Sequence, residues 1–209
     1  MFNLKATTVG ALFLALTAGA NASVNLVSDG SFSEAASYGS FGTVGTNGSI
    51  GAWTVTGGSV DLINGYWSQP AAGSYSIDLD GNSPGTISQN LNLGVGNYVL
   101  TFALAGNPDG GDSVKSVDVS IDGITRSFTF DTAGQHTNNM GWITESISFQ
   151  STAAAATTLS FTSQDAGGPY GAAIGNVNLL AVPEPGSMAL LLAGLGMVGV
   201  MSSRRNRAR

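Results

Sequence analysis

The segment Val117-Asp118-Val119-Ser120-Ile121-Asp122-Gly123-Ile124-Thr125-Arg126-Ser127-Phe128-Thr129-Phe130 predicts a β-hairpin. Apolar and polar residues alternate on both sides of Asp122-Gly123, which is the pattern of two strands with one buried face each. Asp-Gly is a favoured two-residue turn because both positions must adopt positive φ. The segment therefore predicts an antiparallel sheet that packs on a core.

The same alternation recurs between Ser23 and Ala181, where no helical period is evident. Further strands are predicted at Trp53 to Val55, Val60 to Ile63, Tyr75 to Leu79, Ile87 to Leu93, Tyr98 to Leu104, Ile143 to Phe149, Leu159 to Phe161 and Ile174 to Leu180. About ten short strands in one region predict an all-β, antiparallel β-sandwich or jelly roll. Residues 30 to 51 form either a long loop or a strand pair too polar to detect, and Thr152 to Thr158 is predicted as a small-residue turn.

Residues 1–22 have the three parts of a signal peptide. Lys5 supplies a short basic region, Ala6 to Ala18 is apolar, and Ala20-Asn21-Ala22 is a small-x-small cleavage site. The mature chain is expected to begin near Ser23. A retained N-terminal anchor is the alternative.

The C-terminal segment, residues 182–209, combines a spacer, an apolar stretch and a basic end. Pro183-Glu184-Pro185 precedes an uncharged run from Met188 to Met201, and four arginines close the chain: Arg204, Arg205, Arg207 and Arg209. This order predicts a transmembrane helix with its basic end in the cytoplasm and residues 23–181 outside the membrane. A buried C-terminal helix of a soluble protein is the alternative.

These three features in this order resemble the PEP-CTERM sorting signal of Gram-negative bacteria that produce exopolysaccharide. The resemblance implies that a membrane-embedded exosortase recognises the tail and removes it. The protein would then be anchored transiently and end at the cell surface or in the extracellular matrix.

The charge of residues 23–181 restricts the partners. Lys115 and Arg126 are the only basic residues there, against twelve acids, which gives a formal charge of −10. Nucleic acid and anionic lipid are therefore excluded as partners, because phosphate contacts need clustered Lys and Arg. The chain has no cysteine, so stability must come from sheet packing or from a bound ion.

A series of short motifs runs through the β region: Asn25-Leu26-Val27, Asp29-Gly30-Ser31-Phe32, Trp53-Thr54-Val55, Val60-Asp61-Leu62-Ile63, Ser76-Ile77-Asp78-Leu79-Asp80-Gly81, Gly85-Thr86-Ile87-Ser88-Gln89, Ala105-Gly106-Asn107, Phe128-Thr129-Phe130-Asp131, Asn139-Met140-Gly141-Trp142, Gly168-Pro169-Tyr170-Gly171 and Asn176-Val177. Together they resemble the choice-of-anchor C family, which is related to a plant cell-wall domain group and to galactose-binding-like jelly rolls. The resemblance implies a sandwich that binds polysaccharide at its surface and is not an enzyme.

Related jelly rolls hold a structural calcium with two acids that would fall at Ser33 and Gly175. Neither residue supplies a carboxylate, and Glu34 lies one position further along, so this calcium is not expected and no cofactor is predicted. Two acidic, Gly-rich stretches remain weak cation candidates, and turns are the favoured interpretation of both. Their acids are Asp78, Asp80, Asp109 and Asp112.

Catalysis is not predicted. His136 is the only histidine, cysteine is absent, and no Gly-x-Ser-x-Gly motif occurs. The sequence therefore shows no recognisable pair of catalytic nucleophile and general base. A glycosidase that uses Asp109 and Asp112 is the less favoured alternative.

Aromatic residues in loops are the candidates for a saccharide site, since sugars stack on rings beside amides and acids. The predicted carbohydrate-binding set is Tyr66, Trp67, Tyr170, Trp142, Asn138, Asn139 and His136. For Tyr66, Trp67 and Tyr170, a ring folded over the open end of the sandwich is the alternative. Alternation places the Trp142 indole on the face of its strand that points away from the main core, although a loop that covers it is the alternative. Trp53 is predicted to be core, and Gln89 a buried amide tied to backbone. The favoured function is an exported polysaccharide-binding module, and the alternative is a structural biofilm protein without a small-ligand site.

Overall fold

The hairpin around Asp122-Gly123 forms as predicted. In the computed structural model, which describes residues 24–35, 39–183, 192 and 194–196, Ile121 pairs with Ile124. Asp122 and Gly123 have φ values of 49° and 75°, which are the positive angles that a tight two-residue turn requires.

Twelve strands are present in the described residues: β1 (Phe41–Gly45), β2 (Ser49–Ile50), β3 (Trp53–Gly57), β4 (Ser59–Ile63), β5 (Ser76–Asp78), β6 (Thr86–Leu93), β7 (Gly96–Gly106), β8 (Val114–Ile121), β9 (Ile124–Asp131), β10 (Ile143–Ser151), β11 (Ala155–Ser163) and β12 (Ala172–Val182). The first sheet has the order β1-β4-β5-β12-β7-β10 and the second has β2-β3-β6-β11-β8-β9. The pairs that join neighbouring strands are antiparallel. The predicted all-β antiparallel sandwich is confirmed.

Two local predictions need correction. Residues 41–45 and 49–50 are the short strands β1 and β2, so the stretch from 30 to 51 is not simply a long loop. The predicted turn at 152–158 is also wrong in its second half, because β11 begins at Ala155 and pairs with Leu93.

The core lies between the two sheets and is rich in aromatic residues. Trp53 is fully buried, as predicted, and its ring centroid lies 6.0 Å from that of Phe161. Phe161 in turn makes an edge contact with Phe102 from the opposite sheet at 5.2 Å. Such rings contribute about 1.5–3 kcal/mol each through burial. Gln89 is buried and its Nε2 donates to the Ser28 carbonyl at 2.8 Å, which confirms its predicted role.

The start of the described chain lies beside the last strand. The backbone N–H of Leu26 donates to the Leu179 carbonyl at 2.9 Å, and that of Val177 donates to the Gly30 carbonyl at 2.8 Å. β12 is irregular here, with a register shift between Gly175 and Asn178. A Cβ at Gly30 would lie 1.9 Å from the Val177 oxygen, so only glycine permits this approach.

The described residues include no helix long and apolar enough to cross a membrane. Most of the predicted transmembrane segment lies outside the described residues, as does the whole predicted signal peptide. Of the predicted sorting residues, the structure describes Pro183 but not Glu184, Pro185 or the four arginines.

Candidate functional site

A cavity of about 210 Å³ opens at one end of the first sheet. We call it the aromatic cavity, and its lining residues are Phe41, Asp61, Ile63, Tyr66, Trp67, Asp78, Asn107, Asp109, Pro169 and Tyr170. They come from the start of β1, the end of β4, β5, the end of β7 and the segments that follow β4 and precede β12. Antiparallel pairing brings these ends together, because Phe41 is opposite Ile63 and Ala172 is opposite Gly106.

Three rings at the mouth of this cavity are partly open to solvent. Phe41, Tyr66 and Tyr170 are 46%, 44% and 37% exposed. Phe41 and Tyr66 meet edge to face with centroids 5.4 Å apart. Gly65 has a φ of 98°, so the chain turns sharply just before Tyr66. The mouth therefore offers apolar ring faces that the core does not use.

A chain of hydrogen bonds links these rings to the cavity interior. The Tyr66 hydroxyl donates to Asp109 Oδ2 at 2.7 Å, and the Asp109 backbone N–H donates to Asn107 Oδ1 at 3.0 Å. Asn107 Nδ2 then donates to Asp78 Oδ2 at 2.7 Å. The hydrogen bond from the Tyr66 phenol to Asp109, together with the negative charge there, raises the pKa of Tyr66.

Asp78 is the most deeply buried of the cavity acids, with 1% exposure. Its Oδ1 accepts from the backbone N–H groups of Asp80 and Gly171, both at 3.0 Å. Burial raises the pKa of Asp78 to about 8, in opposition to these donors and to Asn107, which lower it. Much of its population is therefore protonated at neutral pH.

Asp61 forms a second buried acid on the cavity wall. It is 9% exposed, and its Oδ1 accepts from Thr43 Oγ1 at 2.5 Å. Burial raises the pKa of Asp61, while the bond from Thr43 lowers it.

A buried lysine joins the two loops that frame the cavity. Lys115 is 1% exposed, and its Nζ donates to the carbonyls of Gly110 at 2.7 Å and Tyr170 at 2.6 Å. A Cβ at Gly110 would lie 2.7 Å from the Tyr170 ring, so glycine is required where the loops meet. Lys115 therefore fixes the spacing between the Asp109 loop and Tyr170.

The family model described as "Protein of unknown function (DUF642)" matches residues 25–180. The chain belongs to the DUF642 family. The model of the PEP-CTERM protein-sorting motif matches residues 181–205, and this motif indicates export and surface or extracellular association. The narrower resemblance to the choice-of-anchor C family stays a prediction.

The DUF642 domain is also similar to a segment of halomucin from Haloquadratum walsbyi, with 36% identity over 141 residues. The alignment covers 66% of this chain but only 1% of halomucin. The domain therefore corresponds to a very small part of that protein.

Three solved structures illustrate the structural comparison. A family 61 carbohydrate-binding module in complex with β-1,4-galactotriose has a TM-score of 0.46 and 18% identity, and covers 77% of this chain and 100% of its own. A family 35 module from Paenibacillus barcinonensis has a TM-score of 0.42 and 15% identity, with 68% and 99% coverage. A family 22 xylan-binding domain from the same organism has a TM-score of 0.44 and 11% identity, with 68% and 90% coverage. No residue role in the DUF642 domain is taken from them.

The structure brings together only part of the predicted carbohydrate-binding set. Tyr66, Trp67 and Tyr170 line the aromatic cavity. Trp67, however, is 3% exposed and its Nε1 donates to Ser76 Oγ at 2.8 Å. The expectation that Trp67 is an exposed ring is wrong, because the Trp67 indole packs inward and forms the cavity wall.

The other predicted residues lie on a separate hairpin of the DUF642 domain. His136 and Asn139 pair through backbone bonds of 3.2 and 2.7 Å, and both side chains are exposed, as is Asn138. Neither His136 nor the two asparagines line the aromatic cavity. The cavity and this hairpin are connected through the segment that contains Trp67, because the backbone N–H of its neighbour Ser68 donates to the carbonyl of Thr137 in the hairpin.

Trp142 does not point away from the core, which corrects the prediction from strand alternation. Its ring is half-buried against the hydrophobic core, and its Nε1 donates to the Ser68 carbonyl at 2.8 Å. β10 begins at Ile143, so the period of the strand does not apply to Trp142. The alternative, a ring under a neighbouring loop, is what the structure has.

The candidate cation ligands do not cluster. Among the described residues no group of three His, Cys, Asp or Glu side chains is arranged to hold a metal ion. Asp78 and Asp80 are buried. Asp78 lies on β5, within the strand predicted at Tyr75 to Leu79, and Asp80 follows that strand and bridges to Pro84. Asp109 bonds to Tyr66, and Asp112 is exposed.

The two positions that carry the calcium-binding acids in related jelly rolls supply no carboxylate here. Ser33 lies in a hydroxyl pair with Ser31, with their Oγ atoms 2.8 Å apart. A Cβ at Gly175 would meet the Pro70 ring at 2.7 Å, so the loop at residue 70 fills the space of a second acidic ligand.

Sequence reasoning missed Phe41, Asp61 and Asn107 as parts of the cavity. Asp61 and Asn107 stand in the family-like motifs, which was an available signal. Phe41 stands in the polar stretch where no strand was recognised, and no sequence signal marked it as part of a site.

The DUF642 domain has a second, larger hollow of about 910 Å³ on the outer face of its second sheet. Its lining is mainly hydroxyl and amide, and includes Thr54, Ser88, Asn90, Thr158 and Ser160. No aromatic side chain contributes to this lining. It therefore lacks the ring faces that make the smaller cavity suitable for sugars.

Proposed function

We propose that the protein is an exported, surface- or matrix-associated module that binds extracellular polysaccharide at the aromatic cavity and catalyses no reaction. The observation that carries this is the pairing of open Tyr66 and Tyr170 rings with Asp109 and Asn107 around one cavity. Sugars stack their C–H faces on rings and bond through hydroxyls to carboxylates and amides.

The dimensions of the cavity set the size of the ligand. Its volume of about 210 Å³ is below the ~300–1,000 Å³ typical of sites for drug-sized molecules. It suits a single sugar residue or the end of a chain. The rest of a polysaccharide would lie outside the mouth and contribute little.

A glycan array with the purified protein tests this function. Saturable binding to one polysaccharide class is the expected result, with Tyr66→Ala and Tyr170→Ala each about tenfold weaker because stacking is lost. Val95→Ala is the matched control, since Val95 is 70% exposed beside the opposite end of β7. A negative array, confirmed with soluble oligosaccharides, would favour a purely structural matrix protein.

For sorting, we propose a signal peptide at 1–22, an exported domain at 23–181 and an exosortase substrate tail at 182–209. The tail would anchor the protein transiently in the cytoplasmic membrane of a Gram-negative cell before processing. The match to the PEP-CTERM motif supports this proposal. The four terminal arginines support it too, since basic residues that flank an apolar segment stay on the cytoplasmic side of the membrane.

Replacement of the four terminal arginines by glutamine tests the sorting proposal. We expect more protein in the medium and less at the cell surface, measured by immunoblots of cell fractions. Unchanged location and apparent mass after this replacement and after deletion of 182–209 would contradict it.

A further inference from the structure

The charge of the aromatic cavity carries information about the sugar, on the basis of the proposed function. Three carboxyl groups line it, those of Asp61, Asp78 and Asp109, and no Lys, Arg or His does. Burial raises the pKa of Asp78 to about 8, so the negative charge at neutral pH comes from Asp61 and Asp109. The nearest buried cation is Lys115, whose Nζ is already committed to the carbonyls of Gly110 and Tyr170. The cavity is therefore acidic without a compensating cation in its lining.

Asp61 has an unused oxygen at this site. Its Oδ1 accepts from Thr43, whereas no hydrogen-bond donor in the described part of the chain contacts its Oδ2. Asp61 lines the cavity, and its Oδ2 is not among the described side-chain oxygens that are both buried and unpaired. This oxygen is therefore open to a ligand, and an N–H⁺ group brought to it would form a charge-assisted hydrogen bond.

Different classes of sugar interact differently with the acids and rings that line the cavity. A uronic acid would place its carboxylate against the charges of Asp61 and Asp109, which is repulsive. A neutral sugar can donate only uncharged hydroxyls, whereas an ammonium group makes charge-assisted bonds, which are about twice as strong. The ring faces of Phe41 and Tyr66 also attract an ammonium group.

A bare metal ion fits this arrangement less well than a sugar. The described acids do not form a three-ligand group, Asp109 is held by Tyr66, and four of the ten lining residues are aromatic. We infer that the aromatic cavity selects sugar residues that carry a free amine, such as the glucosaminyl units of a de-N-acetylated polysaccharide, over neutral and uronic residues.

Calorimetric titration of the protein with three tetrasaccharides tests this inference. Glucosamine and N-acetylglucosamine tetramers differ only in their amines, and a galacturonate tetramer carries the opposite charge. At a pH where the amines are protonated, we expect the glucosamine tetramer to bind about tenfold more tightly than its acetylated form. The galacturonate tetramer should bind most weakly, and the preference should shrink as salt is added.

Two conservative variants assign the preference to the cavity acids. Asp61→Asn keeps an acceptor for Thr43 but removes the charge, so it should abolish the tenfold preference for the aminated over the acetylated tetramer. A cooperative thermal transition followed by circular dichroism shows that the variant is folded. Asp109→Asn should reduce the preference in the same way. Asp118→Asn is the control, because Asp118 bonds to Ser127 on β9, away from the cavity, and it should leave every affinity unchanged.

The outcomes separate this inference from the proposed function. If the galacturonate tetramer binds as tightly as the aminated one, or if Asp61→Asn keeps the full preference, amine selection is wrong although the cavity still binds glycans. If Tyr66→Ala leaves all three affinities unchanged, binding lies elsewhere and both proposals fail. If no glycan binds, both proposals fail as well.

Discussion

Lys115→Met is the substitution that most directly tests how the cavity is built. Lys115 lies on β8, and its Nζ bridges Gly110 and Tyr170 from opposite loops. Methionine keeps the apolar stem and most of the volume, but it removes the charge and both donors. The two carbonyls are then left without that partner.

The expected loss of stability follows from those two bonds. Hydrogen bonds from a charged group contribute about 1.5–3 kcal/mol each, and burial of the methionine end recovers about 1 kcal/mol. We expect a net loss of about 2–5 kcal/mol. For a domain of this size that corresponds to a fall in Tm of about 4–20 °C.

The pH dependence of the loss gives a second measurement. The charge of Lys115 lowers the pKa values of Asp80 and Asp165, which burial raises. Without Lys115 both acids become harder to ionise, so the variant should lose more stability at pH 8 than at pH 5.

Thermal unfolding followed by circular dichroism measures both effects, with Arg126→Met as the control. Arg126 is the other basic residue between 23 and 181, and it is exposed, so its loss should cost under about 0.5 kcal/mol. A Tm for Lys115→Met within about 2 °C of the control would refute the bridging role.

The remaining tests concern the pH dependence of stability, the role of Trp142 and the presence of bound calcium. Burial raises the pKa values of Asp78 to about 8 and Asp80 to about 6, so the folded state binds protons that the unfolded state releases. The free energy of unfolding should therefore fall as pH rises from about 4 to 8. A Tm that rises over this range, or a pH dependence that Asp78→Asn does not flatten, would contradict this. Trp142→Ala should lower the free energy of unfolding by about 2–3 kcal/mol, since the ring is half-buried and bonded to Ser68. Glycan affinity should stay unchanged. Lost affinity without lost stability would show that Trp142 belongs to the binding site. EDTA should leave the Tm unchanged, because Ser33 and Gly175 supply no carboxylate, and a fall of many degrees would reveal a bound ion.

Alternation predicted those strands that pack one face on the core, because their period follows directly from side-chain direction. It failed at β1, where only Val44 is buried. It predicted β5 within Tyr75 to Leu79, but not that the polar face of this strand, with Asp78, is buried as well. β5 lies in the middle of its sheet, and both of its faces are covered, so polar residues there are buried without any local sign.

The candidate site could be predicted only in part because it is assembled from distant segments. Tyr66 and Tyr170 were found because they sit in loops without a packing partner in the pattern. Trp142 was misjudged because its indole bonds to Ser68 in a distant loop. Trp67 was misjudged because its own indole turns inward and bonds to Ser76. No local period encodes either contact. The hydrogen bonds from Tyr66 to Asp109 and from Lys115 to Tyr170 span 43 and 55 residues.

The length of β12 separates the cavity from the point where the chain leaves the sandwich. Tyr170 precedes the first residue of this 11-residue strand, and Val182 is its last. At about 3.3 Å per residue the two ends are roughly 33 Å apart. If the protein is tethered through its C-terminal segment and binds at the aromatic cavity, as proposed, the binding site would lie at the end of the sandwich remote from the point of attachment. Many copies on one surface could then bind one long repeating chain together, so that weak individual contacts would add up to strong multivalent adhesion.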